Sequence, residues 1–268
     1  MRHTIAGTFG GLFASLVAVM SAISYCAPAS ADLSASIDRV KPSVVMVGSY
    51  HRTGSPQFAL HGTGFAVAGG YVVTNAHVVS SARSGPEGSS LAVRTTAGDG
   101  EGGPIRMARL HASDPVHDLA VLTIDGTPLP ALEVGDSDAV REGMNVAFTG
   151  FPIGAALGYS PVTHRGIVSA ITSIAPPSAT AQGLNERAIR AIKAGPFPIF
   201  QLDATAYPGN SGGPLFDPSD GKVVGIINMV FVKSSKESAL SQPSGITYAI
   251  PSRFLAQMIP GLPPAKPK

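Results

Sequence analysis

Between Val44 and Ile250 the sequence repeats one pattern about a dozen times: a short apolar run rich in Val, Ile and Leu, closed by a turn signal. The runs are Val44 to Ser49, Gly64 to Ala68, Tyr71 to Thr74, Leu91 to Thr95, Ile105 to His111, Leu119 to Ile124, Asn145 to Gly150, Gly166 to Ser173, Ile199 to Asp203, Pro214 to Phe216, Lys222 to Val232 and Gly245 to Ile250. Between them stand Gly69-Gly70, Asp99-Gly100, Asp125-Gly126 and Asp217 to Gly221, residues that accept the backbone angles of tight turns. Crossover helices do not alternate with these runs, so the pattern predicts an all-β fold of barrels or sandwiches rather than a parallel α/β sheet. With 31 Gly, 23 Pro and only 13% charged residues, the composition suits many short strands better than long exposed helices.

Three segments depart from the strand pattern. Asp32 to Val40 has Leu33, Ile37 and Val40 at helical spacing, with Pro42 as its stop. Gln182 to Lys193 reads as a solvated amphipathic insertion, and Ser252 to Ile259 as a closing helix whose Phe254, Leu255, Met258 and Ile259 pack on the body. The Pro-, Gly- and Asp-rich stretch Gly126 to Gly143 is the natural crossing between two lobes, the first at about 42–126 and the second at about 143–250. The body is expected to span 32–260, with 261–268 a frayed tail.

Residues 1–31 carry a polar start at Arg2 and His3, an apolar stretch from Ile5 to Ile23, and the small-x-small site Ala29-Ser30-Ala31. This reads as a signal peptide cleaved after Ala31, with export to the periplasm or the medium. A retained membrane anchor is the competing reading, opposed by Gly7, Gly10 and Gly11 within the stretch. Cleavage removes Arg2 and the only cysteine, leaving 18 basic against 17 acidic side chains and no stable membrane span. A thiol-free chain has no cysteine nucleophile, no thiolate metal site and no disulfide; core packing must hold it together. Basic residues are scattered without interleaved aromatics, which argues against nucleic acid as a partner. The histidines form no HExxH or similar set, so neither a metal nor another cofactor is expected.

The chemistry is concentrated in three segments. In Gly209-Asn210-Ser211-Gly212-Gly213-Pro214-Leu215 a serine flanked by glycines can stand on a sharp turn, with backbone N–H groups converging beside its hydroxyl. Such a nest is what an oxyanion needs. Thr74-Asn75-Ala76-His77-Val78-Val79 places a histidine after a strand, and His117-Asp118-Leu119-Ala120-Val121-Leu122 places a carboxylate at the mouth of another. Each has a plainer reading alone: a Gly-rich turn, a packed core histidine, a strand-edge cap. His117, beside Asp118, is expected to point to the opposite face of its strand and stays outside the site.

Taken together and in this order, TNAHVV, HDLAVL and GNSGGPL resemble the catalytic segments of the trypsin-like serine peptidases, and specifically of their HtrA (Deg) branch. Gly62-Thr63-Gly64-Phe65, Gly150 to Gly154, Arg165 to Ser169 and Gly245 to Pro251 extend the likeness over about Val40 to Leu255. The resemblance implies two perpendicular six-stranded β-barrels with a short C-terminal helix. It implies Ser211 as nucleophile, His77 as general base, Asp118 as the group that orients the base, and Gly209 and Ser211 as oxyanion donors. It puts the base of the substrate pocket near Thr205 and its walls near Asn228, Val230 and Gly245. Thr205 supplies no charge there, so small or medium aliphatic residues are the expected preference. Protein or peptide segments are the expected substrates, and a homo-oligomer is compatible with the family. A catalytically silent, chaperone-like binding module is the rival reading, and an esterase a second rival. Only nine residues follow Ile259, too few for the PDZ domain that most HtrA members carry.

Overall fold

A computed structural model of the chain describes residues 33–96, 102–152, 158–174, 195–229 and 245–259. The chain divides into residues 1–30 and a second unit, Ala31–Lys268, to which every described residue belongs. The Gln182 to Lys193 segment, the signal-peptide stretch and the C-terminal tail lie outside the described residues.

Twelve strands close into two six-stranded barrels. The first contains β1 (Val44–Tyr50), β2 (Phe58–Val67), β3 (Tyr71–Asn75), β4 (Ser90–Arg94), β5 (Ile105–Asp114) and β6 (Leu119–Ile124), ordered β1-β2-β3-β6-β5-β4. The second contains β7 (Asn145–Gly150), β8 (Val162–Ile174), β9 (Phe197–Asp203), β10 (Pro214–Phe216), β11 (Val223–Asn228) and β12 (Ile246–Pro251), ordered β10-β11-β12-β9-β8-β7. All the pairings are antiparallel, and each barrel repeats the same ring topology. Closure leaves no free sheet edge in either half.

Two strands begin well ahead of their sequence runs, β2 at Phe58 and β8 at Val162. Gly62 and Gly64 interrupt the apolar run of β2 without interrupting its pairing to β1. One helix has no forewarning in the sequence. Ala76–Arg83 forms α2 although Val78, Val79, Ser80 and Ser81 are poor helix formers. Burial decides the matter, because Val78, Val79 and Ala82 pack into the core of the first barrel.

The interior has three parts: Val45, Val47, Val72 and Leu122 help fill the first barrel, Phe148, Phe200, Leu202 and Leu215 the second, and a third cluster joins them. That joining cluster sets Met46, Phe65 and Val73 with Phe216, Ile226 and Phe254. The connection between the barrels is stitched to both, with Leu132 bridged to Val67 and Val134 to Val223. The terminal helices act as straps across the halves. α1 (Leu33–Val40) precedes the first barrel yet bonds the second, through Ser36 Oγ to the Pro218 carbonyl (2.9 Å). α3 (Ser252–Met258) follows the second barrel yet stacks Phe254 on His117 of the first, ring centroids 3.9 Å apart. Removing a buried phenylalanine such as Phe254 costs about 3–5 kcal/mol in comparable cores. Among the described residues no helix is long and apolar enough to cross a membrane.

Candidate active site

His77 sits in the first turn of α2, directly after β3, and Asp118 sits in the turn that joins β5 to β6. Strands β3 and β6 are paired through Asn75 and Leu119, which brings the two residues together. Asp118 adopts a left-handed backbone, φ +55°, unusual for a residue with a side chain and worth about 1 kcal/mol or more of strain. Five hydrogen bonds hold it there. Its carbonyl accepts from Ala76 N–H (3.1 Å) and Asn75 Nδ2 (3.0 Å). Its Oδ1 accepts from His77 N–H (2.9 Å), and its Oδ2 from His77 Nδ1 (2.5 Å) and Asn228 Nδ2 (2.8 Å).

Both oxygens of this buried carboxylate face N–H donors, an arrangement that keeps the His77 proton on Nδ1. The other ring nitrogen, Nε2, is thereby left as the basic lone pair. The Asp118 side chain is 4% exposed and that of His77 22%, so the imidazole is the part of the pair that solvent and ligand can reach.

Ser211 comes from the loop between β9 and β10, and only 5% of it is exposed. The loop folds on itself through Asn210 N–H to the Tyr207 carbonyl and Gly213 N–H to the Asn210 carbonyl, both 3.0 Å. Glycine is required at two places. Gly209 has φ +104°; Gly212 has φ +86°, and a Cβ there would lie 2.1 Å from the Thr63 carbonyl. Among the described residues, neither Gly209 N–H nor Ser211 N–H donates to a protein acceptor. The loop thus leaves two backbone donors unengaged, one of them the serine's own, and an oxyanion requires donors that are unoccupied. The Ser211 hydroxyl itself accepts from Met229 N–H at 3.3 Å, rather than meeting His77 Nε2.

The residues expected around the substrate pocket fare differently. Thr205 is half-buried at the start of the nucleophile loop, and Gly245 faces open space while its carbonyl accepts from Ala204 N–H. Val230 lies outside the described residues. Asn228 is fully buried, and its side chain donates to Asp118. Spacing gave no hint of that role, because the bond joins residues 110 positions apart.

His117 does point away from the site, for a reason other than strand alternation. Residues 115–118 form a turn, and the ring bonds Asp114 Oδ2 (2.5 Å), stacks on Phe254 and meets Phe197 edge-on. Burial acts to raise the Asp114 carboxyl, but bonds from the His117 ring and from the His117 and Val116 N–H groups hold it below its ordinary value. No group of three His, Cys, Asp or Glu suited to a metal occurs among the described residues.

Residues 62–226, more than half of the chain, match the family model described as a trypsin-like peptidase domain. The chain is 34% identical over 191 residues to the "Probable periplasmic serine endoprotease DegP-like" of Pseudomonas fluorescens, covering 71% of this chain and 32% of that protein. It is 33% identical over 228 residues to the mitochondrial serine protease HTRA2 of Bos taurus, covering 83% of this chain and 41% of that one. Among solved structures, the HtrA-type protease AlgW with a tripeptide matches with a TM-score of 0.58 and 30% identity over 84% of this chain and 62% of AlgW. The chain therefore spans about a third of the DegP-like relative and under two thirds of AlgW.

Proposed function

Because the chain belongs to the family of trypsin-like peptidases, we propose that it is an HtrA-like serine endopeptidase acting through His77, Asp118 and Ser211. The observation that carries this reading is the saturated Asp118–His77 pair standing with a serine whose loop leaves two N–H groups unengaged. Substrate binding draws the Ser211 hydroxyl from Met229 to His77 Nε2. Oγ then attacks the scissile carbonyl carbon while its proton passes to Nε2. The carbonyl π pair moves to oxygen, where Gly209 N–H and Ser211 N–H receive it, each donor worth about 3 kcal/mol in comparable sites. Collapse expels the amine, which takes the proton from His77. Water, deprotonated by the same nitrogen, then frees the acyl group from Ser211.

In this reading the peptidase domain is 32–260, and its pocket has Thr205 at its base and Asn228, Val230 and Gly245 at its walls, favouring cleavage after Ala, Val or Ile in unfolded or exposed segments. Peptide-library cleavage mainly after Arg would overturn that specificity. Export of the chain is supported by residues 1–31 and by the periplasmic description of the DegP-like relative.

The test compares wild type with Ser211→Ala for hydrolysis of unfolded casein and for labelling by a fluorophosphonate. Both are expected in the wild type and neither in the variant. A folded wild type that neither cleaves nor labels would favour a second reading, a latent or binding protein. That reading draws on the resting Met229 N–H to Ser211 Oγ bond, which holds the hydroxyl off the base.

A further inference from the structure

We propose that Thr63 is a positioning residue: from the first barrel it fixes the two peptide planes that flank the one carrying the Ser211 N–H. The inference rests on the peptidase reading of that loop. Thr63 lies in β2, fully buried, and every polar atom it has is engaged. Its N–H donates to the Ser211 carbonyl (2.8 Å). Its hydroxyl donates to the Gly209 carbonyl (2.6 Å) and accepts from Phe151 N–H (3.0 Å). Its own carbonyl accepts from Thr74 Oγ1 (2.7 Å), which holds Thr63 in place in turn.

The geometry separates this role from ordinary strand packing. The carbonyls of Gly209 and Ser211 belong to the peptide planes on either side of the 210–211 plane, whose N–H is one of the two oxyanion donors. With both neighbouring planes tied to one residue of the opposite barrel, the intervening plane has little room to rotate. Gly209 tolerates many backbone angles, and its carbonyl moves with the Asn210 N–H, which is tied within the loop to the Tyr207 carbonyl; the Thr63 bond is what anchors that plane to the opposite barrel. A backbone donor in β2 could come from any residue type, but the bond to Gly209 needs a side-chain hydroxyl. Only Ser or Thr can place one there, donating on one side and accepting from Phe151 on the other. The hydroxyl touches neither substrate nor the reacting atoms, so it acts through the loop it holds.

The test uses Thr63→Val, which keeps the shape and removes the hydroxyl, and Thr63→Ser, which keeps the hydroxyl. Thr63→Ala replaces the valine variant should that fail to fold. Because an oxyanion donor contributes roughly 100- to 1000-fold, misaiming one predicts that kcat falls about 10- to 100-fold in Thr63→Val with KM little changed. Affinity for a peptide boronate, which presents an oxyanion mimic, should fall by the same factor, and Thr63→Ser should restore both. Amide hydrogen exchange over residues 207–213 should quicken in the valine variant and not in the serine one. Unchanged exchange together with unchanged kcat and boronate affinity would overturn the inference, as would equal losses in Thr63→Ser and Thr63→Val. If the wild type itself neither cleaves nor labels, the peptidase reading fails, and the exchange result alone decides whether Thr63 anchors the loop.

Discussion

The two barrels share one strand topology but secure their parts of the site by opposite means. In the first, Asp118 is held by hydrogen bonds that saturate its carboxylate and its carbonyl, and these override an unfavourable left-handed backbone. In the second, Ser211 stands on a loop whose shape comes from glycine geometry and whose N–H groups are left open. Under the proposed mechanism the contrast follows from what each half would do. A group that orients a base works best fully bonded and fixed, whereas an oxyanion nest is useful only while its donors are unoccupied. Each barrel then supplies the tie the other lacks: Asn228 of the second bonds Asp118, and Thr63 of the first bonds Gly209 and Ser211.

The severest challenge to this contrast is Asp118→Asn. An amide keeps the shape but turns a donor either toward both His77 Nδ1 and Asn228 Nδ2 or toward the His77 backbone N–H, so the imidazole loses its counter-charge and, in the first orientation, its tautomer. A fall in kcat of about 10⁴-fold is expected from steady-state peptide hydrolysis at neutral pH, with the fold retained. Activity within tenfold of wild type would mean that the saturated carboxylate is not what sets the base.

Asn228→Ala measures how far the first barrel depends on the second. A hydrogen bond to a charged group is worth about 1.5–3 kcal/mol, which predicts a loss of roughly 10- to 100-fold in kcat/KM. An unaffected rate would show Asp118 to be secured from its own barrel alone.

The mildest effect is expected inside the second barrel, at His164. Its ring stacks on Phe148 with centroids 4.8 Å apart, and burial pushes its imidazole below the ordinary histidine value. A folded-state value below the unfolded one, about 6.5, means that folding favours the neutral ring. Its contribution is complete above pH 6.5 and is lost as pH falls through the lowered value. His164→Phe keeps the stack and removes the titration, so its thermal midpoint should vary less than wild type between pH 7.5 and 5. Equal slopes would assign the acid sensitivity elsewhere.

Much of this arrangement could be read along the chain. The strand-turn rhythm announced an all-β body, and β6, β7 and β10 have the ends that their apolar runs suggest. The three chemical segments were visible because their identity is local: a histidine after a strand, an aspartate before one, a serine between glycines. The α2 helix was not visible, since Val78 and Val79 favour strands until the core of the first barrel claims them. The bond from Asn228 to Asp118 was not visible, because a residue at the end of an apolar strand gives no sign of which way its amide will turn.

The sequence by itself therefore determined the element types apart from α2, and the reactive groups, because periodicity, turn chemistry and functional groups are properties of neighbouring residues. Tertiary structure alone decided who meets whom. The His77–Asp118, Asn228–Asp118 and Thr63–Gly209 bonds span 41, 110 and 146 positions. Those distances are set by barrel closure, strand register and the seating of one barrel on the other, and a one-residue slip in register would turn each side chain to the opposite face.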